Sequence, residues 1–477
     1  MNQYGEFHEA ESRFVARVDE MLKTFPCIGA SVGVSRTPAV VDVMGGIGED
    51  SGALVLTATA AMSFHTAVWQ TAEDQVRIRF APEANQNDGL NLALPMTAFT
   101  ASGQVLLDQC RRQNAEWATP TLLTLQKAMA EGIPAKLSGG LCFMIQTDFP
   151  ESADLGRHSV QAAAAADAIY KLFAIQADRV AQARICAGAI TELTGLGNLR
   201  KAMTALCGPA NGSLLQLRFH PHLMCETLEM PEGITVQAVS TSLSRPTESQ
   251  RLIETRLCSE MGHRMIVDLQ QQDGMQLDPN NSRLSAITPT EYVERYRDRM
   301  PSKITWQAFV DRFGKLRGLE DRQDKPKSIY KIRSRAEHHI YENRRVHDFV
   351  TNLVRSRRNN SVETLVSAGE LMYASHWSHS QRCGIGGVET DRLVNFIRGH
   401  GPKAGLFGAK VTAGGEGGEL VVLMKDDEQA HAALADAVSQ AEATSQKAVH
   451  VFGGSLPGAA SFEAPDLASS VNPAGAV

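Results

Sequence analysis

The chain has 477 residues, of which 43% are hydrophobic and 21% charged, an ordinary globular balance with apolar material for two or three cores. Its 47 Lys and Arg against 53 Asp and Glu leave a formal charge of -6, so no basic excess points to nucleic acid or to an anionic membrane surface. Eight scattered cysteines without a C-x-x-C pair argue against a zinc site or a disulfide scaffold and suit small core residues in a reducing cytoplasm.

The opening MNQYGEFHEAESRF carries acids and no apolar h-region, so a signal peptide is not expected, and no apolar run is long enough to cross a bilayer. Across residues 8–24, Phe14, Val15, Val18, Met21 and Leu22 recur at helical spacing and predict an amphipathic helix. VVDVMGGIGEDSGALVLTATAAMSFHTAVWQ then reads as strand, glycine-bearing turn and strand, with VRIRF (76–80) as a further strand. Residues 101–131 predict helix, and GGLCFMIQTDF (139–149) predicts a buried strand. The alanine run 162–166 predicts a long helix, because Ala gives up least in adopting one. SLLQLRF (213–219) and ITVQAVS (234–240) predict strands joined by a hairpin-like link.

From about residue 245 the pattern is mainly helical. Residues 290–358 are rich in Arg and Lys, but Asp and Glu are interleaved throughout, which predicts solvated helical faces rather than a nucleic-acid groove. AGLFGAKVTAGGEGGELVVLM (404–424) reads as strand, glycine loop, strand, and VHVFGGS (449–455) as a last strand. The ending APDLASSVNPAGAV is small and polar and predicts a frayed tail. Strands and helices mixed in two blocks predict an α+β chain with a boundary near 230–245.

Three glycine-bearing segments are candidates for chemistry. In MGGIGEDSG (44–52) glycine lets the backbone approach a ligand closely, and equally makes an ordinary hairpin turn. DFPESADLGRHSVQAAAAADAI (148–169) is a loop feeding a helix, whose N-terminus suits phosphate. Asp154 opposes a phosphate there, and Arg157 and His158 offset it. AGGEGGE (413–419) packs four glycines around one acid. His220 and His222 flank Pro221, and His376 and His379 lie one helical turn apart. Either pair has metal-ligand spacing, but no Cys, Asp or Glu partner is evident, so no metal is expected. Ser159 beside His158 does not make a hydrolase site, and there is no G-x-S-x-G elbow.

Taken in order from about residue 37 to 462, these segments resemble the GHMP kinases, in the galactokinase and arabinokinase branch. VVDVMGGIGEDSGALVL resembles the first motif, where a strand leads into a sugar-binding turn. DFPESADLGRHSVQAAAA falls at the Ser-rich phosphate loop and its helix, and GAKVTAGGEGGELVVL (408–423) matches the glycine-rich third motif. MTALCGPAN (203–211) resembles the segment after the catalytic acid. ITPTEYVERYRDRMP (287–301), HHIYENRRV (338–346), GELMYASHWSHS (369–380), CGIGGVETDRLV (383–394) and VFGGSLPGAASF (451–462) also look like that branch.

The resemblance implies an α+β, two-domain GHMP kinase fold: a ribosomal-S5-like N-terminal domain over 1–235, a ferredoxin-like C-terminal domain over 236–463, and a flexible tail over 464–477. It implies ATP with Mg, and a sugar hydroxyl as acceptor. By position, Asp42, Gly46, Glu49, Asp50 and Ser240 then bind sugar. Leu155, Gly156, Arg157, His158 and Ser159 form the nucleotide loop, and Gly414, Gly415, Gly417 and Gly418 form the third motif.

Several charged positions depart from the family pattern. Ala39 and Val40 stand where the first motif has glycine and arginine, and Glu49-Asp50 replaces an Asp-Tyr pair. The phosphate-loop serines give way to Asp154-Leu155-Gly156-Arg157-His158-Ser159. Counting back from MTALCG, Lys201 occupies the catalytic Asp position. Ser240-Thr241-Ser242 replaces Asp-Ser-Gly, and Ser244-Arg245-Pro246 replaces Arg-His-Ser. A lysine is cationic at pH 7 and does not stand in for a carboxylate base. Losing one charge-stabilising group typically costs about 10²–10³ in rate. The expectation is a catalytically impaired homologue, a cytoplasmic pseudokinase that binds a sugar, a nucleotide or a protein partner, with no membrane or nucleic acid involved. The alternative is an active ATP-dependent sugar 1-kinase in which Lys201, Arg157 or His158 serves the phosphate.

Overall fold

The computed structural model describes residues 3–29, 31–82, 89–134, 137–150, 153–176, 178–241, 247–276, 283–316, 326–412 and 418–465. The chain is α+β and divides into two compact units, Met1–Val40 with Thr59–Asn211 and Gly454–Val477, and Val41–Ala58 with Gly212–Gly453. The strands β1 (Gly33–Met44) and β2 (Val55–Thr71) each run from one unit into the other.

The first unit opens with α1 (Gln3–Thr24), as its periodicity predicts. Phe14, Val18, Met21 and Leu22 form its buried stripe and pack with Trp69 of β2. The Trp69 indole donates to the Phe25 carbonyl at 2.8 Å, which ties the end of the helix to the strand. After β1 and β2 come β3 (Gln75–Pro82), β4 (Leu90–Pro95), α2 (Gly103–Arg112), α3 (Thr119–Ala130), β5 (Gly140–Thr147), α4 (Arg157–Leu172), α5 (Arg179–Thr194) and α6 (Leu199–Cys207). Their sheet runs β4-β3-β5-β2, with β3 and β5 parallel and the other pairs antiparallel. Helices α3 to α6 pack on one another. The alanines 162–166 sit inside α4 rather than at its start, and all are buried. Asp178 caps α5, its carboxylate accepting from the Val180 and Ala181 amides. The helix expected over 101–131 is two helices, interrupted where Asn114 adopts a positive φ of 52°.

The second unit continues β1 through a 3-10 turn, Gly46–Ser51, into β2. Then follow β6 (Leu214–Arg218), β7 (Met224–Leu228), β8 (Ile234–Ser240), α7 (Thr247–Gln272), α8 (Pro289–Glu291), β9 (Ile304–Thr305), α9 (Trp306–Phe313) and β10 (Ile329–Tyr330). The unit ends with α10 (Ile332–Asn359), α11 (Val362–Ser378), α12 (Val388–His400), β11 (Leu406–Val411), β12 (Glu419–Lys425), α13 (Glu428–Ser445) and β13 (His450–Phe452).

The hairpin expected between SLLQLRF and ITVQAVS does not form. β6 pairs with β7, and β8 instead lies between β12 and β13 in the antiparallel sheet β11-β12-β8-β13. β7 was missed because it lacks apolar alternation: Cys225, Glu226 and Thr227 are exposed in succession. One core of this unit gathers Tyr292, Tyr296, Trp306 and Phe309 between α7 and α10. The other lies between the four-stranded sheet and α12 and α13.

The arginines of 290–358 are interleaved with acids: Arg297 with Glu337, Arg299 with Asp273, Arg344 with Asp348 and Arg345 with Glu342. Residues 235 and 236 both fall within β8. Of the tail, 466–477 lies outside the described residues. No described helix is long and apolar enough to cross a membrane.

Helix α11 crosses β11 with backbones in contact. A Cβ at Gly369 would lie 1.9 Å from the Phe407 carbonyl oxygen, and one at Gly408 would lie 2.5 Å from the Gly369 Cα. Gly369→Ala is expected to destabilise the protein by about 2 kcal/mol or more through forced separation of helix and strand. Urea denaturation followed by far-UV circular dichroism measures this, and an unchanged midpoint contradicts the contact.

Candidate functional site

In the first unit, β5 feeds the loop that leads into α4. Asp148 accepts from the Ser63 amide at 2.6 Å, and burial pushes its carboxyl up to about 6. Leu155 and Gly156 take successive positive φ values of 37° and 76°, turning the chain into α4. A leucine in this region costs about 1–2 kcal/mol, so the surrounding contacts must hold it there. One of them is the Val40 amide, which donates to the Leu155 carbonyl at 3.0 Å and fixes the loop to β1. Arg157 acts from within the loop. Its guanidinium donates to the carbonyls of Phe149 (3.2 Å), Pro150 and Ala153 (3.4 Å), and lies over the Phe149 ring at 5.5 Å. His158 is exposed, whereas Leu155 and Ser159 are buried.

Lys201 on α6 is buried, 5% exposed at its side chain, and its Nζ stands 3.9 Å from Asp154 Oδ2. A Cβ at Gly156 would lie 3.4 Å from Lys201 Cδ and 3.6 Å from Val40 Cβ. The glycine of the loop is therefore flanked by the two residues that the sequence resemblance sets at an arginine and an aspartate position. The acid that looked out of place in the loop is set against the lysine that looked out of place on the helix. A nearly buried ammonium needs such a counter-charge.

In the second unit, the turn that carries the sugar-binding candidates is bracketed by Gly45 and Gly52, with φ of 84° and 78°. Asp42 is buried in β1 and Gly46 is buried in the turn. α10 grips both ends of the turn: Glu342 Oε1 accepts from the Gly45 amide at 3.3 Å, and Asn343 Oδ1 accepts from the Leu54 amide at 3.2 Å. Glu49 is half-buried. Asp50 is held by Arg256 of α7 at 3.0 Å. Nearby Glu260 is raised in pKa by burial, and the Asp50 charge adds to that rise.

Glu342 is fully buried, accepting from Ser375 Oγ at 2.6 Å and pairing with Arg345 Nε at 2.8 Å. Burial pushes its pKa up, but Arg345, His379, Lys410 and the Ser375 hydroxyl outweigh this and hold it at about 2. Three buried histidines, His338 and His339 on this carboxylate's own helix and His379 just after α11, are all neutral. Burial lowers His339 to about 4 and His379 to about 3, and drives His338 well below its usual value. His379 Nδ1 donates to the Ser375 carbonyl at 2.9 Å. His376 and His379 do not form a metal pair: His376 Nδ1 accepts from the Val411 amide at 3.2 Å, and its Nε2 meets Asp391 at 3.2 Å, an acid partner that sequence reading missed. Among the described residues no group of three His, Cys, Asp or Glu is placed to hold a metal.

Ser240 ends β8 fully buried, opposite Glu419 of β12 and His450 of β13. Gly418 is buried, and its carbonyl accepts from both the amide and the hydroxyl of Thr241, each at 2.9 Å. Gly414, Gly415 and Gly417 lie outside the described residues, as do Ser242, Ser244, Arg245 and Pro246. Sequence reasoning missed Glu342, Asn343 and Arg256 as supports of the turn. Glu342, Asn343 and Arg345 stand together in ENRR, but nothing in that string reveals what they hold.

No family model matches the chain. It is 23% identical over 485 residues to an L-arabinokinase of Arabidopsis thaliana, which covers 90% of this chain and 46% of the relative. It is 36% identical over 94 residues to a galactokinase of Thermotoga petrophila, covering 20% of this chain and 24% of that one. The chain thus spans less than half the length of these curated relatives. Among solved structures it is similar to Lactococcus lactis galactokinase complexed with galactose, with a TM-score of 0.68, 15% identity, and coverage of 93% of this chain and 98% of that one. A Methanococcus jannaschii mevalonate kinase gives a TM-score of 0.53 at 12% identity, over 89% and 98% of the two chains.

The buried histidines set a pH dependence. Unfolded, they take up protons near pH 6.5. Folded, His339 and His379 do so only near pH 4 and 3, and buried His65 in the first unit only near 3. Their contribution is complete above pH 6.5 and is lost as pH falls, at up to roughly 1.4 kcal/mol per pH unit per site. Asp148 opposes this: raised to about 6, it adds stability as pH falls from 6 toward 3.8. Glu342 adds a further loss below about 4.5. With several histidines against two raised carboxyls, Asp148 and Glu260, the urea midpoint is expected to fall between pH 7 and pH 5, and to fall less steeply in His339→Gln. A flat profile contradicts the neutral cluster.

Proposed function

Because this chain belongs to the GHMP kinase superfamily, in its galactokinase- and arabinokinase-like branch, we propose that it is a sugar-kinase homologue of the cytoplasm that retains sugar or nucleotide binding and is catalytically impaired. One observation carries the reading: Gly156 of the phosphate loop is flanked by Val40 and Lys201, and the Lys201 ammonium faces Asp154. Phosphoryl transfer depends on positioning and on stabilising charge. Val40 brings neither charge nor hydrogen bond, and an ammonium held near a carboxylate is not a base. By the family resemblance the loop Leu155–Ser159 and the start of α4 receive the phosphates of ATP, and Asp42, Gly46, Glu49, Asp50 and Ser240 receive the sugar. Asp50 is the weakest of these, since Arg256 already holds its carboxylate.

Magnesium prefers a near-octahedral set of oxygen donors. The described part of the loop offers Asp154, which faces Lys201, and Ser159, which is buried. These donors do not fit a magnesium site.

The same pair favours a second reading. Asp154 returns a carboxylate to the neighbourhood of position 201, so an active sugar 1-kinase would use Asp154 as base and Lys201 on phosphate.

Calorimetry with ATP and magnesium, with and without galactose and arabinose, together with an ADP-release assay, separates the two. The expected result is binding of nucleotide or sugar, with turnover at least about 10²-fold below that of an intact site and no further change in Asp154→Asn. Brisk turnover that Asp154→Asn lowers about 10²-fold overturns the impaired reading in favour of the rearranged one.

A further inference from the structure

We propose that the second unit carries a small-anion site, suited to inorganic phosphate or to the phosphoryl group of a small metabolite, in a cavity walled by Arg218, His220, Arg283, Ser285, Asn343 and His347. The cavity measures about 170 Å³, well under the roughly 300–1,000 Å³ of pockets for drug-sized ligands. It therefore has room for a group the size of a phosphate.

The walls come from three parts of the unit. Arg218 ends β6 and His220 lies in the link to β7. Arg283 and Ser285 flank the start of the short 3-10 turn Leu284–Ala286. Asn343 and His347 are one turn apart on α10. Among the described residues, no Asp or Glu lines the cavity.

Two facts separate this cluster from the other arginine-rich surfaces of the unit. First, Arg256, Arg297, Arg299, Arg335, Arg344 and Arg345 each pair with an acid, whereas among the described residues neither Arg218 nor Arg283 makes an ion pair. The acids nearest in effect are Glu260, which attracts Arg283, and Asp348, which attracts His347, and both stand outside the lining. Second, Arg218 Nε is buried from solvent without a hydrogen-bond partner. A buried N–H left unsatisfied is costly, and an anion accepting from it removes that cost.

The electrostatics agree. Burial, and then the charge of Arg283, lowers the His220 pKa, while burial and Arg218 lower that of His347. The cavity thus holds two guanidinium groups, Arg218 and Arg283, with no acid among its described lining residues. Guanidinium forks match the geometry of phosphate oxygens.

The site is independent of the transfer reaction, since none of its residues is a candidate for phosphate transfer. It backs onto the sugar-candidate turn, however: Gly52 lines it, and Asn343 holds the Leu54 amide just beyond the turn.

The test is calorimetric titration of the full chain with inorganic phosphate, at ionic strength matched by sodium chloride. A hexose 1-phosphate forms a second arm, and Lys201→Met controls for phosphate bound at the α4 loop. Saturable phosphate binding is expected, kept in Lys201→Met and weakened about tenfold or more in Arg218→Gln and in Arg283→Gln. Tighter binding of the hexose phosphate assigns the site to a metabolite's phosphoryl group, and equal binding assigns it to inorganic phosphate. If Arg218→Gln does not fold, His347→Asn and the half-buried Arg283→Gln carry the comparison. Absence of binding at tens of millimolar phosphate, or binding that Lys201→Met removes and Arg283→Gln leaves intact, overturns the inference.

Discussion

A carboxylate without access to water organises the second unit. Glu342 receives the Gly45 amide, the Ser375 hydroxyl and the Arg345 guanidinium, so the glycine turn, α10 and α11 meet on one charged group. Isolating such a charge is expensive, and burial alone would protonate it. The three donors, with Lys410, keep it ionised. Such an arrangement adds little net stability over a well-packed apolar core. What it supplies is direction: the Gly45 amide has one place to point, and the backbone of the turn that follows is fixed with it. Asn343, the next residue on α10, fixes the far side of the turn through Leu54.

In the first unit the corresponding constraint is a pair rather than a hub. Lys201 and Asp154, each out of place in the pattern that the sequence resemblance suggests, face one another. A chain that lost an acid from α6 and gained a cation there would carry a nearly buried positive charge beside the phosphate loop. An acid in that loop offsets it. Arg157, which the sequence pattern sets beside a phosphate, instead ties the loop carbonyls together. Fold alone does not settle what chemistry follows.

Much of this architecture was legible in the chain itself. The helical spacing of Phe14, Val18 and Met21, the alanine run of α4, and the strand–glycine–strand patterns all correspond to elements in place. These signals are local, arising from side-chain period and backbone freedom. Pairing is not local, and there the reading failed: β8 finds its partners in β12 and β13, far along the chain, and β7 carries no apolar alternation to announce it. The candidate site divides the same way. Its glycine turns stand out in the sequence, but the group that anchors Gly45 lies 297 residues away. The proximity of Val40, Gly156 and Lys201 rests on three separate segments. Electrostatic partners carry no sequence period, so only the folded chain reveals them.

The backbone crossing of α11 and β11 bears on how substitution tolerance in this protein is to be read. Gly369 and Gly408 have no room for one added carbon, while Gly188 and Gly399 face open space. In a scan of every position, the most intolerant glycines of the second unit would therefore include two that touch no candidate ligand. Intolerance there records the distance between two backbones. A search for function by mutational sensitivity must first subtract the positions where volume alone forbids change, and what is left should then point to charge.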